Sequence, residues 1–132
     1  MIAHAVVVAS NVDYRVDIDT GSHRIVGDEP VHAGGKDAGP APYDLVLAGL
    51  GACTAITLRM YAARKQWHLG DLRVDLSLTL RDGRARVHRV ISSDAALDDE
   101  QWTRLLDIAS KTPVTRTLSA ALDITSERKR EP

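Results

Sequence analysis

The stretch YDLVLAGLGACTAITLRMYA, Tyr43 to Ala62, decides the fold. Pro42 stands directly before it, where a missing N–H costs nothing in the first turn of a helix. Asp44 follows at the positive end of the helix dipole. The spacing predicts a helix from Pro42 to about Arg64. It is apolar nearly all round until Arg59, and a helix of that kind must be buried on all sides. A chain of 132 residues has little with which to surround it. Ala48, Gly49, Gly51, Ala52 and Ala55 are small enough to let a second helix come close. The expectation is a dimer with two copies of this helix near its centre. Gly49 and Gly51 weaken a helix, so a kink or break just before Cys53 is an alternative, with Cys53 then in the first turn of a second helix.

Upstream, the chain reads as strands. Val6 to Ala9 is a short β-branched run. Tyr14, Val16 and Ile18 alternate with Arg15, Asp17 and Asp19, the period of a half-buried strand. Asp19 to Ser22 reads as a turn into a strand over His23 to Val26. Gly27 to Pro42, GDEPVHAGGKDAGPAP, is dense in Gly and Pro and reads as loop. It is either a surface connection or the lip of a pocket.

Downstream lies the clearest β pattern. Leu72, Val74, Leu76, Leu78 and Leu80 alternate with Arg73, Asp75, Ser77, Thr79 and Arg81, and Asp82-Gly83 is a two-residue hairpin turn. The return strand puts Ala85, Val87, Arg89 and Ile91 on one face. Asp98 with Gln101 is a capping box ahead of a helix whose apolar stripe is Leu105, Leu106, Ile108 and Ala109. Thr112-Pro113 reads as an N-cap followed by proline at the first helical position. Ala121 to Thr125, ALDIT, reads as a closing strand, and the charged tail from Ser126 as frayed. Strands and helices come in segregated runs, which predicts an α+β fold in one domain, residues 1–132.

Composition narrows the function. Seventeen basic against eighteen acidic residues give a net charge of −1, so nothing electrostatic draws the chain to nucleic acid or an anionic membrane. One cysteine forbids an internal disulfide and fits a reducing, cytoplasmic setting. The N-terminus lacks a basic region and a small-residue cleavage site, so no signal peptide is expected. The longest uncharged run, Leu45 to Leu58, has 14 residues, short of the roughly 20 that span a bilayer. His4, His23, His32, His68 and His88 have no ligand spacing, and no phosphate loop stands between a strand and a helix. No metal or cofactor is expected. Cys53 remains. Among Val46, Gly49, Leu50, Ile56, Thr57 and Met60 it reads first as a small buried hydrophobe. A reactive thiol there would need an electropositive, partly exposed setting.

GDEP at Gly27–Pro30, GGKDAGPAPYDLVLAGLGACTAITLRMYAARKQW at Gly34–Trp67 and IASKTPVTRTL at Ile108–Leu118 together resemble the OsmC/Ohr family, the osmotically inducible and organic hydroperoxide resistance proteins. The resemblance implies an intertwined homodimer, with antiparallel sheets wrapped around central helices and sites at the subunit interface. It implies that Cys53 is a peroxidatic thiol which attacks the O–O bond and becomes a sulfenic acid. The family's peroxidases carry a resolving cysteine just before Pro-Val in the second motif, where this chain has Thr112. An external thiol reductant would then have to complete the cycle. The family also pairs its thiolate with an arginine and a carboxylate. Arg24 and Asp44 are the positions carried over, and His32 lies in the same loop region.

Two functions follow from these residues. One is a single-cysteine peroxidase of small organic hydroperoxides using Cys53, Arg24 and Asp44. The other is a non-catalytic dimeric protein that binds a small apolar ligand in the interface pocket, with Cys53 as packing. A third reading, a thiol acting on some other electrophile or sulfur donor, stays open.

Overall fold

The computed structural model describes residues 1–129. The order is β1 (Val6–Ala9), β2 (Val16–Thr20), β3 (His23–Gly27), α1 (Pro42–Lys65), β4 (Leu72–Arg81), β5 (Arg84–Ser93), α2 (Asp99–Ala109) and α3 (Pro113–Ala120). The architecture is α+β with antiparallel sheets, as the segregated runs predict. By density of contacts the chain divides into two compact units. One holds Met1–Ala48 with Leu78–Arg86, and the other holds Gly49–Ser77 and the chain from Val87 on.

In the first unit β1, β2 and β3 form an antiparallel sheet in that order. Val6 faces Asp19 across β1 and β2, and Ile18 faces Ile25 across β2 and β3. The β2–β3 turn is Gly21-Ser22, with Gly21 at φ 59°, a backbone region that glycine enters without steric cost. Ile18 is the buried side chain of this sheet.

β4 and β5 form a hairpin of two ten-residue strands. From Leu72 to Thr79 half-buried and exposed residues alternate strictly, following the period of two in the sequence. Asp82 and Gly83 both have positive φ, the requirement of a tight hairpin turn.

The second unit holds the core. Leu58, Ala62, Leu69, Leu105 and Ala109 pack together, with Trp67, Trp102, Ile91 and Leu72 against them. The α2 stripe at Leu105 and Ala109 supplies one side. Its capping box is complete: the Asp98 carboxylate accepts from the Gln101 N–H at 2.7 Å, and the Gln101 side chain accepts from the Asp98 N–H at 3.0 Å.

α1 runs unbroken from Pro42 to Lys65 through both glycines, matching the helix expected from Pro42 to about Arg64, and the alternative break before Cys53 is absent. A Cβ at Gly51 would stand 2.8 Å from Leu76 Cδ1, so close packing on β4 accounts for that glycine, not a kink. Within one chain α1 is buried along one face, and the other faces are those a second copy would have to cover for the expected all-round burial. The buried residues of α1 are Leu50, Thr54, Leu58 and Ala62, one residue every fourth position and hence one face. Tyr43, Val46, Ile56 and Met60 are exposed. One expectation is corrected: Ala121 to Thr125 is not a strand. The segment has no regular structure, and Leu122 and Ile124 are exposed. Its alternation suits a strand, but no described strand offers it a ladder, and a lone strand leaves its N–H and C=O groups unpaired. The tail from Ser126 is exposed and irregular through Lys129, and its last three residues lie outside the described ones. By length and composition α1 could cross a membrane, a property it shares with the core helices of globular folds.

Leu58→Ala empties fully buried space and should cost about 2–5 kcal/mol in denaturant unfolding. Ile56→Ala, on the exposed face, should stay within about 0.5 kcal/mol in dilute protein. A large, concentration-dependent cost at Ile56 would mean that a second chain covers this face.

Candidate functional site

Cys53 sits in the fourth turn of α1, one residue before Thr54 and so off the buried stripe. It is half-buried. Its sulfur lies 4.0 Å from the Thr57 hydroxyl one turn on.

Thr54 is fully buried on that face. Its hydroxyl donates to the Leu50 carbonyl at 2.8 Å and accepts from Arg89 Nη1 at 2.9 Å. The same Nη1 reaches the Thr115 hydroxyl on α3 at 3.0 Å. Thr115 Oγ1 stands 2.6 Å from Thr112 Oγ1 and 3.4 Å from the Ala109 carbonyl. The proton accounting closes with Thr112 donating to Thr115 and Thr115 donating to Ala109. These residues join α1, β5 and the start of α3 in one polar network. Thr112 stands at the N-cap of α3 with Pro113 behind it, but its side chain makes no capping hydrogen bond. The hydroxyl is turned to Thr115, and Thr112 is 1 % exposed.

Arg89 was legible only as one of a row with Ala85, Val87 and Ile91 on one face of the return strand, of which Arg89 and Ile91 are half-buried and Val87 is exposed. A charge in such a row is the available signal, because a buried-side cation must find acceptors. The row gives no hint that those acceptors are threonines on two helices.

In the first unit the loop after β3 is built around Asp28, which is 4 % exposed. One carboxylate oxygen accepts from the N–H groups of Glu29 (2.7 Å) and Tyr14 (3.3 Å). The other accepts from Ala38 (3.0 Å) and Lys36 (3.2 Å). These bonds, led by that of Ala38, hold the Asp28 carboxyl below the ordinary carboxylate range against the opposing effect of burial. The loop closes so tightly that a Cβ at Gly35 would strike the Glu29 carbonyl and one at Gly39 the Val26 carbonyl. Its ends, with the β sheet and the start of α1, line an apolar cavity of about 400 Å³ among Val7, Tyr14, Val16, Ile18, Pro40 and Leu45. The pocket-lip reading of this loop therefore has a cavity beside it.

Arg24 lies on β3 and makes a bidentate pair with Asp19 on β2, at 2.8 and 3.2 Å. Both side chains are exposed. The pair lowers the Asp19 carboxyl and raises the Arg24 guanidinium. Asp44 accepts from the Ala41 N–H at 3.2 Å, tying the loop end to the first turn of α1. His32 is exposed in a 3-10 turn, Val31–Ala33. Among the described residues no three His, Cys, Asp or Glu side chains cluster as metal ligands.

Residues 34–127 match the family of OsmC-like proteins. No curated protein matches. Among solved structures, an osmotic stress induced and detoxification response protein of Psychrobacter arcticus 273-4 is similar, with a TM-score of 0.74 at 21% identity over 85% of each chain. An OsmC-like protein of Mycoplasma pneumoniae has a TM-score of 0.71 at 18% identity, covering 90% of this chain and 88% of that one. The organic hydroperoxide resistance protein OhrB of Bacillus subtilis has a TM-score of 0.61 at 21% identity, covering 88% and 89%. At these identities the likeness is one of fold.

The lowered Asp28 carboxyl fixes the sign of one pH effect. Its contribution to stability is fully present above about pH 4, the unfolded carboxylate range. It is lost as pH falls through the lower folded value. Asp28→Asn should lower the melting temperature at pH 7 and flatten its fall as pH drops below about 4. A mutant with the wild-type acid slope would show that Asp28 does not carry that dependence.

Proposed function

Because this chain belongs to the OsmC-like protein family, we propose that it is a one-cysteine, thiol-dependent reductase of organic hydroperoxides. The observation that carries the reading is the placement of Cys53: the only sulfhydryl in the chain, half-buried, off the core stripe and facing a hydroxyl. Similar folds include proteins named for organic hydroperoxide resistance, and OsmC/Ohr proteins are commonly dimeric. This chain in the reading acts as a homodimer in a reducing cytoplasm.

The Cys53 thiolate attacks one peroxide oxygen. An S–O bond forms and the O–O bond breaks. With one proton taken up, the products are the Cys53 sulfenic acid and an alcohol. The sulfur is oxidised and the hydroperoxide reduced. Because Thr112 has no sulfur, an external thiol condenses with the sulfenic acid, releasing water and leaving a mixed disulfide. A second external thiol displaces Cys53 and leaves as the small disulfide. In this reading Arg24 supplies the cation opposite the thiolate and Asp44 orients it, so Arg24 exchanges its Asp19 pair for the site.

A second reading, a dimeric protein that binds a small apolar ligand without catalysis, is favoured by the apolar cavity of the first unit. Cavities of this size with mostly apolar walls suit small organic ligands.

Intact mass spectrometry after one equivalent of cumene hydroperoxide, with a sulfenic-acid trap present, separates the two. The peroxidase reading expects an adduct on Cys53 that Cys53→Ser abolishes. Unmodified protein whose thiol alkylates only after unfolding would sink it in favour of the binding protein. Thr112→Cys tests the resolving position: an intramolecular disulfide should replace the trapped adduct. Persistence of the adduct would place position 112 out of reach of the sulfur.

A further inference from the structure

The polar network of the second unit points to a second cation for Cys53, beside the Arg24 of the proposed reading. Arg24 is already neutralised by a two-bond pair with Asp19. Arg59, on the same helix as Cys53, donates to the Gly70 carbonyl at 2.7 Å. Arg104 is held by the Tyr61 hydroxyl at 2.8 Å, and Lys111 pairs with Asp107. Arg89 differs from these in burial: Arg24, Arg59, Arg104 and Lys111 are exposed and Arg89 is half-buried. Among the described residues it makes no salt bridge, and its acceptors are the neutral hydroxyls of Thr54, the neighbour of Cys53, and Thr115. Neutral acceptors fix a guanidinium without cancelling its charge.

The remaining donors complete the picture. Only Nη1 is engaged, although a guanidinium carries five N–H donors. No buried side-chain nitrogen or oxygen among the described residues lacks a partner, so Nε and Nη2 face accessible space. The head group is therefore anchored on one nitrogen, open on the other two, and half-buried. It hangs over the residue next to Cys53. Nη1 is 2.9 Å from Thr54 Oγ1, and consecutive Cα atoms are about 3.8 Å apart, which puts the charge within about 9 Å of the Cys53 backbone.

We infer that Arg89 is a positioning residue for Cys53: it fixes the α1 turn that carries the thiol against α3 and supplies the uncancelled positive charge that draws anionic reactants to the sulfur. This rests on Cys53 being a reactive thiol, as proposed above, but not on hydroperoxide being its substrate. The cysteine side chain extends that bound to about 12 Å at the sulfur, where one unit charge changes the rate of a singly charged reagent relative to a neutral one by just under about twofold in bulk water and by about tenfold at an effective dielectric near 20.

The test compares alkylation of Cys53 by iodoacetate, an anion, and by iodoacetamide, its neutral analogue, at low salt. A residue that only packs would change both rates together, so the readout is their ratio. The wild-type ratio should exceed that of a short neutral cysteine peptide and fall toward it as salt is raised. Arg89→Met should lower the ratio threefold or more, and Arg89→Lys should keep most of it. A wild-type ratio equal to the peptide's overturns the inference without any mutant, even if Arg89→Met fails to fold. An unchanged ratio in folded Arg89→Met overturns it as well. Running the cumene hydroperoxide trap on the same proteins keeps the two readings apart. A charge-dependent ratio with no sulfenic acid leaves Arg89 in place and removes the peroxidase, whereas sulfenic acid with an indifferent ratio does the reverse.

Discussion

Everything in the second unit hangs on one buried hydroxyl. The stripe of α1 that enters the core is Leu50, Thr54, Leu58 and Ala62, and Thr54 is the polar member. A hydroxyl sealed in an apolar interior must be satisfied, or it costs about 1–3 kcal/mol. Its own helix takes the proton, at the Leu50 carbonyl. The lone pairs require a donor from outside, and Arg89 brings one from β5. Once there, the guanidinium reaches Thr115, and through Thr115 the start of α3 is registered against α1. The position of the second motif relative to Cys53 is thus set by hydrogen bonds of fixed length, whereas apolar packing alone would allow sliding.

The same accounting explains why a threonine suits position 112. A cysteine there would place a weak donor opposite Thr115 in a buried site. Threonine makes the bond at 2.6 Å, so the network gains a member while the chain loses a second sulfur. Chemistry and packing are traded at one residue.

Legibility in the sequence followed the range of the interaction. The β4 strand was readable because alternation at Leu72 through Leu80 is a property of neighbours in the chain, and the α2 capping box because its partners are three residues apart. The family motif made Cys53 visible. What stayed hidden was non-local. Asp28 is bound by N–H groups 14 residues before it and as far as 10 after it, and main-chain donors leave no mark in a sequence. Arg89 and its threonines are separated by 35 and 26 positions. The strand expected at Ala121 to Thr125 failed for a related reason: alternation records what a segment could pair with, not whether a partner is present. Uniform apolarity in α1 says how much surface prefers cover; it does not say that within one chain the covered face is Leu50, Thr54, Leu58 and Ala62.

The Asp28 loop is held by main-chain groups alone: Glu29, Lys36 and Ala38 contribute only their N–H. Its shape is therefore nearly independent of the side chains it displays. Positions 36 and 38 can be rewritten with almost any residue that keeps an N–H, proline excepted, while Asp28, Gly35 and Gly39 stay fixed. Relatives could diversify the face this loop displays without refolding it, and an engineer could do the same.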